Sequence, residues 1–440
     1  MLNSPLPGPK TAVSVSRGLV GWSGELRRRK GAVLRNNWLL VAGLTIWTAV
    51  GPAQSTSGDN HLRVNRKFIY PKEFAAGRPY TPGVLAGETL YISGQIDKDP
   101  QTGAQPNGIA EQTRLAMNNV GHVLRAAGMD FGNVVSCHVQ LIDMGQYKEM
   151  NEVYGSFFGP DHYPARTTLE FPGLPGGANI EVTCIAYADK SKISIVTPPA
   201  GSIPAVMGPY RSAIFAGDTL YVSGSGGRQP RTNELDATTE GQTRQTMENI
   251  GQILATAGLQ HKDAVFANVY FLDPNGLKGG TYGKLNSVYK DSFALGSAPS
   301  RASFCVSKLP GTIGVEITLI ATRDRKNKGR VVPASAALSP TSSNGGVLDK
   351  DTLYTSAKSG NGATLEAQMR DSMESIRDIL KLAGMNLGNI VDTHVYLKDL
   401  GQMEAMNAIF REYFPHHPPA RTTVQVIQDQ LEQVQVVAVR

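Results

Sequence analysis

Alternating apolar and polar positions mark the same short strand three times along the chain. Ala86-Gly87-Glu88-Thr89-Leu90-Tyr91-Ile92-Ser93-Gly94 returns as Ala216-Gly217-Asp218-Thr219-Leu220-Tyr221-Val222-Ser223-Gly224, and again as Asp349-Lys350-Asp351-Thr352-Leu353-Tyr354-Thr355-Ser356-Ala357. A turn followed by alternating β-formers predicts a hairpin entering a strand. The period then changes. Leu115, Val120, Val123 and Leu124 recur at helical spacing and predict a helix from about Ile109 to Ala127, stopped by Gly128. Its counterparts run from Met247 to Ala257 before Gly258, and from Met373 to Ala383 before Gly384. A strand ending in Asp follows each helix, at 134–143, 265–273 and 390–399. A second helix carries Asn151-Glu152-Val153-Tyr154, Asn286-Ser287-Val288-Tyr289 or Asn407-Ala408-Ile409-Phe410, and two strands close the unit. Each repeat therefore reads β-β-α-β-α-β-β over a normal domain size. The expected bounds are 62–190, 194–325 and 331–440, the third being degenerate. Sheets that bury one face need a partner, and short charged joints keep two tethered copies beside each, so an intrachain pseudo-trimer with sheets inward is expected.

Composition changes this picture only at the leading end. The formal charge is +6, from 43 basic and 37 acidic residues, but residues 1–54 hold seven Lys or Arg against Glu25 alone. The remainder balances at 36 against 36, so no overall field draws in nucleic acid. All three Trp, Trp22, Trp38 and Trp47, lie in the same segment, where an apolar run from Trp38 to Val50 follows a basic cluster and ends in Gly51-Pro52-Ala53. That is the outline of a secretory signal, too short to span a bilayer, and it predicts an exported protein, periplasmic or extracellular, with no stable membrane span after cleavage. A signal starting near Val33 has the more usual length. Without such a leader the chain reads as cytoplasmic. Cys137, Cys184 and Cys305 sit in strand-like runs without metal spacing and read as buried free thiols.

One motif carries chemistry. Tyr163-Pro164-Ala165-Arg166-Thr167-Thr168 returns as Ala298-Pro299-Ser300-Arg301-Ala302-Ser303 and Pro418-Pro419-Ala420-Arg421-Thr422-Thr423. Fifteen residues after Arg166 and Arg301 stand Glu181 and Glu316, whereas the third repeat has Gln435. A guanidinium holds a carboxylate through two parallel hydrogen bonds, and a nearby Glu moves a proton. Thr168 and Ser303 lie two residues beyond their Arg, on the same strand face, where a hydroxyl can hold water. An Arg–Glu couple can equally be a structural ion pair. His138 and His394 match in position, but Asn268 replaces them in the second repeat, so they read as structural.

Each repeat resembles the RidA family, also called YjgF or reactive-intermediate deaminase. The resemblance rests on Gly77-Arg78-Pro79-Tyr80, Ser93-Gly94-Gln95-Ile96, Glu111-Gln112-Thr113-Arg114, Asn151-Glu152-Val153-Tyr154, Pro164 to Thr168 and Ile180-Glu181-Val182, and it covers residues 62–440. It implies three chorismate-mutase-like α+β domains with pockets in the clefts between them. It also implies hydrolytic deamination of 2-enamine or 2-imine carboxylates to a 2-keto acid and ammonia, with no metal or cofactor. Arg166, Arg301, Arg421, Tyr80, Tyr210, Gly94, Gly224, Asn151, Asn286, Thr168 and Ser303 are the candidate binding residues, and Glu181 and Glu316 the candidate catalytic ones.

The alternative is a non-catalytic carboxylate-binding or regulatory protein of the same fold, since capture needs only the cation. Retention of Glu in two repeats favours an enzyme acting on a small carboxylate-bearing imine or enamine, as a monomeric pseudo-trimer. The third repeat has Ser343 for Tyr80 and Tyr210, Ala357 for Gly94 and Gly224, and Gln435 for Glu181 and Glu316. If Arg and Glu of one repeat share a cleft, only the cleft between repeats one and two keeps a full set, and Arg421 is a relic.

Overall fold

A computed structural model describes residues 64–440, apart from residues 160, 274 and 335 and the side chain at 277. The leader segment read from the sequence lies outside the described residues. Three sheets share one order. The first contains β1 (Arg66–Ile69), β2 (Gly83–Ala86), β3 (Thr89–Ile96), β4 (Val134–Leu141), β5 (Ala165–Glu170) and β6 (Ile180–Tyr187), with α1 (Ile109–Ala126) and α2 (Tyr147–Gly155). The second contains β7 (Ile193–Val196), β8 (Ala213–Ala216), β9 (Thr219–Gly226), β10 (Ala264–Phe271), β11 (Ser300–Cys305) and β12 (Val315–Thr322), with α3 (Thr239–Thr256) and α4 (Gly280–Tyr289). The third contains β13 (Lys328–Val331), β14 (Gly346–Asp349), β15 (Thr352–Thr355), β16 (Ile390–Leu397), β17 (Ala420–Gln425) and β18 (Glu432–Val439), with α5 (Leu365–Leu382) and α6 (Met403–Tyr413). Each domain thus opens with one short strand more than the sequence pattern shows, a four-residue edge pairing antiparallel with the next strand.

Strand order in the first sheet is β1-β2-β3-β6-β4-β5, and the other two sheets repeat it. All pairs are antiparallel except β4 with β5 and its equivalents, so the Arg-bearing strand is always a parallel edge strand. The long helices end on Gly128, Gly258 and Gly384, whose φ of 77°, 72° and 69° lie in the left-handed region. The next residue's N–H returns to the helix, as Met129 to Leu124 O at 2.9 Å, which closes the helix end.

Each sheet buries one face against its own helices. The other faces meet in a shared core that includes Tyr91, Phe304, Tyr354, Tyr396 and Val439. A fully buried side chain of this kind contributes about 1.5–3 kcal/mol, so the three domains form one stabilising unit. Three backbone bonds close the ring: Thr81 N–H to Pro419 O at 3.1 Å, Arg211 N–H to Pro164 O at 3.0 Å, and Ser343 N–H to Pro299 O at 2.9 Å.

Near the axis His138 and His394 lie 6.4 Å apart, ring to ring, and His394 faces the Asp392 carboxylate at 3.1 Å. Burial, with His394 beside it, pushes the His138 imidazole down to about 3, so it stays neutral. The cysteine expectation needs correction for one pair. Cys137 and Cys184 form a disulfide, because β4 and β6 run antiparallel in a register that sets these two residues opposite each other. Cys305 is free and buried.

Candidate active site

Each Arg reaches its cleft because its strand is an edge strand laid against the next domain. The Arg166 N–H donates to Ser223 Oγ at 2.8 Å, and Ser223 Oγ in turn donates to Arg211 O at 2.5 Å. Arg301 binds Ser356 Oγ in the same way at 3.0 Å, and Arg421 binds Ser93 Oγ at 2.9 Å. The ring therefore runs from domain one to two, two to three and three to one, and each cleft is walled by α2, α4 or α6 of one domain and the sheet of the next.

The cleft between domains one and two encloses a cavity of about 100 Å³. The Arg166 guanidinium is 2% exposed and lies 4.8 Å from the Tyr154 ring centroid, 5.8 Å from that of Tyr147 and 5.2 Å from that of Tyr210. Nη2 donates to the Tyr147 hydroxyl at 3.3 Å, while Nε and Nη1 have no partner. Opposite stands Glu316, from domain two. Its Oε1 accepts from Thr167 Oγ1 at 2.5 Å. Burial raises this carboxyl to about 7, against the opposing pull of the Thr167 bond and the Arg166 charge. A Cβ at Gly224 would lie 1.9 Å from Glu316 Oε1, so only glycine leaves the carboxyl room there.

The cleft between domains three and one is also complete. Arg421 is stacked 5.4 Å from Tyr80 and 4.9 Å from Phe410, and donates to Asn407 Oδ1 at 2.8 Å. Burial holds it down to about 10. Glu181 faces it, raised by burial to about 8 although the Arg421 charge opposes this, and Glu181 Oε2 has no partner. A Cβ at Gly94 would meet Glu181 Oε1 at 1.8 Å.

The cleft between domains two and three differs. Arg301 is tied to Asn286 Oδ1 and the Tyr282 hydroxyl, both at 2.8 Å. Across from it are Ala357, whose N–H donates to Arg301 O, and Gln433, whose Nε2 donates to Gln428 Oε1 at 2.7 Å. The expected place of Gln435 needs correction by two residues: Gln433 pairs with Tyr396 as Glu316 pairs with Tyr270 and Glu181 with Gln140, whereas Gln435 matches Thr183 and Thr318.

The expected Arg–Glu pairing within one repeat is thus wrong. β4 lies between β5 and β6, so Arg166 and Glu181 sit on strands that are not neighbours. Arg166 meets Glu316, Arg421 meets Glu181, and the place opposite Arg301 falls to Gln433. Two clefts keep the full set, and Arg421 serves one of them. Ser343 is also misplaced by sequence: its N–H bonds Pro299 O as those of Thr81 and Arg211 bond Pro419 and Pro164, so it stands one place beyond the tyrosines. Thr168 and Ser303 are buried with unpartnered hydroxyls, and so is Asn151 Oδ1. The sequence reading missed Thr167, Tyr147 and Tyr154. Tyr147 and Tyr282 stand at equal distances before Asn151 and Asn286, a signal in the helix pattern that was available.

The family model described as Endoribonuclease L-PSP matches three times, over 71–188, 201–323 and 342–436. The chain is 42% identical over 123 residues to a Bos taurus protein named 2-iminobutanoate/2-iminopropanoate deaminase, covering 28% of this chain and 89% of that one. The Homo sapiens protein of that name is 41% identical over 124 residues, covering 28% and 90%. Among solved structures, E. coli TdcF with bound serine is 34% identical over 28% of this chain and 99% of its own, at a TM-score of 0.27. The E. coli YjgF gene product is 33% identical over 28% and 98%, also at 0.27.

Proposed function

We propose that this chain, which belongs to the endoribonuclease L-PSP or RidA family, hydrolyses 2-imino and 2-enamino carboxylates in the cleft between its first and second domains. The observation that carries this reading is Arg166: a buried guanidinium with two unpartnered nitrogens, facing a buried carboxyl at hydrogen-bonding distance from Thr167. A cation left short of hydrogen bonds in a dry site calls for an anion, and a guanidinium with two unpartnered donor nitrogens suits a carboxylate.

With the carboxylate held by Arg166, the imine carbon faces Glu316. A carboxyl titrating near 7 is divided between its two forms at neutral pH, so it both takes and returns protons there. The ionised Glu316 takes a proton from water as the water oxygen bonds to the imine carbon and the C=N pair moves to nitrogen, and it gives that proton to the nitrogen, which completes a carbinolamine. Glu316 then takes the carbinol hydroxyl proton and passes it to the amine as the C–N bond breaks, and 2-keto acid and ammonia leave. An enamine first takes a proton at its terminal carbon and becomes the imine.

The test generates imines in situ with an amino-acid oxidase and follows keto acid and ammonia. Arg166→Ala is expected to lower kcat/KM for imines of apolar amino acids about 100-fold, as expected for loss of a charge-assisted clamp. Arg301→Ala is expected to change it by less than about threefold. Equal losses in both variants would sink this assignment. A second reading, capture without turnover, is favoured at the cleft between domains two and three, where Gln433 stands at the place of the Glu.

A further inference from the structure

The two complete clefts are not copies of each other. Where the first has Gly208 before Pro209-Tyr210, the other has Arg78 before Pro79-Tyr80. The backbone bonds of the following residues, Arg211 to Pro164 and Thr81 to Pro419, show that these positions correspond in space. Position 208 forms part of the cleft wall: a Cβ there would lie 2.8 Å from Arg166 Nη2 and 3.3 Å from the Tyr147 hydroxyl. In the third domain Met403 replaces Tyr147 and Phe410 replaces Tyr154, so the helix side of the second cleft has lost both hydroxyls.

In their place stands a second cation. Arg78 Nη1 donates to the Tyr80 hydroxyl at 2.7 Å and Nη2 to Pro100 O at 2.9 Å. Its guanidinium carbon lies 5.8 Å from the Tyr80 ring centroid, and that of Arg421 lies 5.4 Å from the same centroid. The two cations therefore share one aromatic wall, against the single Glu181 carboxyl. Arg78 Nε also donates to Ala75 O at 3.4 Å, and the guanidinium carbon lies 5.2 Å from the Phe74 ring centroid. A guanidinium has five N–H donors, so the second N–H of each terminal nitrogen remains after these three bonds. In the first cleft the corresponding wall is apolar, built from Ile203, Val206 and Met207, with Met207 51% exposed.

We infer that the cleft between domains three and one is a second hydrolytic site, specific for short 2-imino dicarboxylates. Arg421 takes the carboxylate next to the imine, Arg78 takes the distal one, and the cleft between domains one and two takes apolar side chains. The inference rests on the imine-hydrolase reading. The reaction balances as there: water adds to C=N, the C–N bond breaks, and a 2-keto dicarboxylate and ammonia form. A distal carboxylate entering the first cleft meets, besides its apolar wall, only Arg228, whose Nη1 and Nη2 are held by Asn233 O and Thr312 Oγ1, both at 2.8 Å, and it pays desolvation, which supplies the discrimination.

The experiment uses the full chain with Glu316→Gln, which silences the first cleft while keeping its shape, and Arg166→Ala as an independent way to silence it. Imines of aspartate, alanine and leucine are generated by suitable oxidases. In either background the aspartate imine is expected to turn over with kcat/KM at least about tenfold above the leucine imine. Adding Arg78→Ala should lower the aspartate-to-alanine ratio at least about tenfold, and Arg78→Lys should restore part of it. An unchanged ratio, or equal loss for aspartate and alanine imines, overturns the inference, the latter because it makes Arg78 only a support for Tyr80. Hydrolysis of apolar imines by the wild type with none of the aspartate imine defeats this inference alone. No hydrolysis of any imine defeats the underlying reading as well.

Discussion

The clefts holding Arg166 and Arg301 are built from the same segments in the same order, yet one presents a carboxyl and the other an amide, Gln433, turned to the Gln428 side chain. The difference comes down to two atoms of crowding. At Gly224 an added methyl would fall 1.9 Å from the Glu316 carboxyl, and at Gly94 another would fall 1.8 Å from Glu181. The third domain carries that methyl, as Ala357, together with Gln433 in place of the Glu. The two changes are coupled: once Ala occupies the wall, a side chain reaching from position 433 into the cleft is crowded out, and Gln433 donates to Gln428 Oε1 instead. Retaining Arg is therefore not evidence of retaining chemistry. The paired Gly and Glu are the better marker, and they must be sought on the domain after the Arg.

The strongest way to break this comparison is Glu316→Gln. Loss of the proton carrier should reduce turnover of apolar imines about 10²- to 10⁴-fold, while calorimetric binding of a 2-keto acid product survives. Unimpaired turnover would remove Glu316 from the reaction. Next in size is Gly224→Ala, which should lower kcat about 100-fold with little change in KM, because it displaces the carboxyl and leaves Arg166 in place. A wild-type rate would mean that the close approach has no catalytic meaning.

The reverse exchange, Ala357→Gly with Gln433→Glu, should place a third carboxyl opposite Arg301. On a Glu316→Gln and Glu181→Gln background any gain in turnover is expected to be modest, about tenfold over that background, since Arg301 is already occupied by Asn286 and Tyr282. No gain would show that the amide is not what silences this cleft.

The smallest effects are expected in pH dependence. With Glu181→Gln only the first cleft remains, and its rate should rise with pH through about 7, where Glu316 ionises. With Glu316→Gln the rise should move to about 8, the position of Glu181. Coincident profiles would contradict the difference between two equally buried carboxyls, of which Glu316 accepts the opposing Thr167 hydrogen bond. The same shifts have a stability sign. Both carboxyls titrate above their ordinary 4.5 when folded, so the folded state holds protons that the unfolded chain gives up, and stability falls as pH rises from about 4.5 to 7 or 8. Glu181→Gln should therefore raise Tm at pH 9 and leave it nearly unchanged at pH 4.

Periodicity alone carried the repeat, the helices and the three Arg strands, because apolar spacing, glycine stops and proline starts are local and act within a few residues. The same local text revealed that the third repeat had lost a Gly and a Glu. It could not say which cleft those losses damage. That was decided by strand order: β4 inserts between β5 and β6, which separates Arg166 from Glu181 within their domain, and ring closure brings Glu316 and Glu181 to the Arg of the preceding domain. Pairing of Cys137 with Cys184 was decided in the same way, by register between strands 47 residues apart in sequence. Neighbours of this kind are set by which edges and faces must be buried against each other, a property of the assembled sheets that no window of sequence contains.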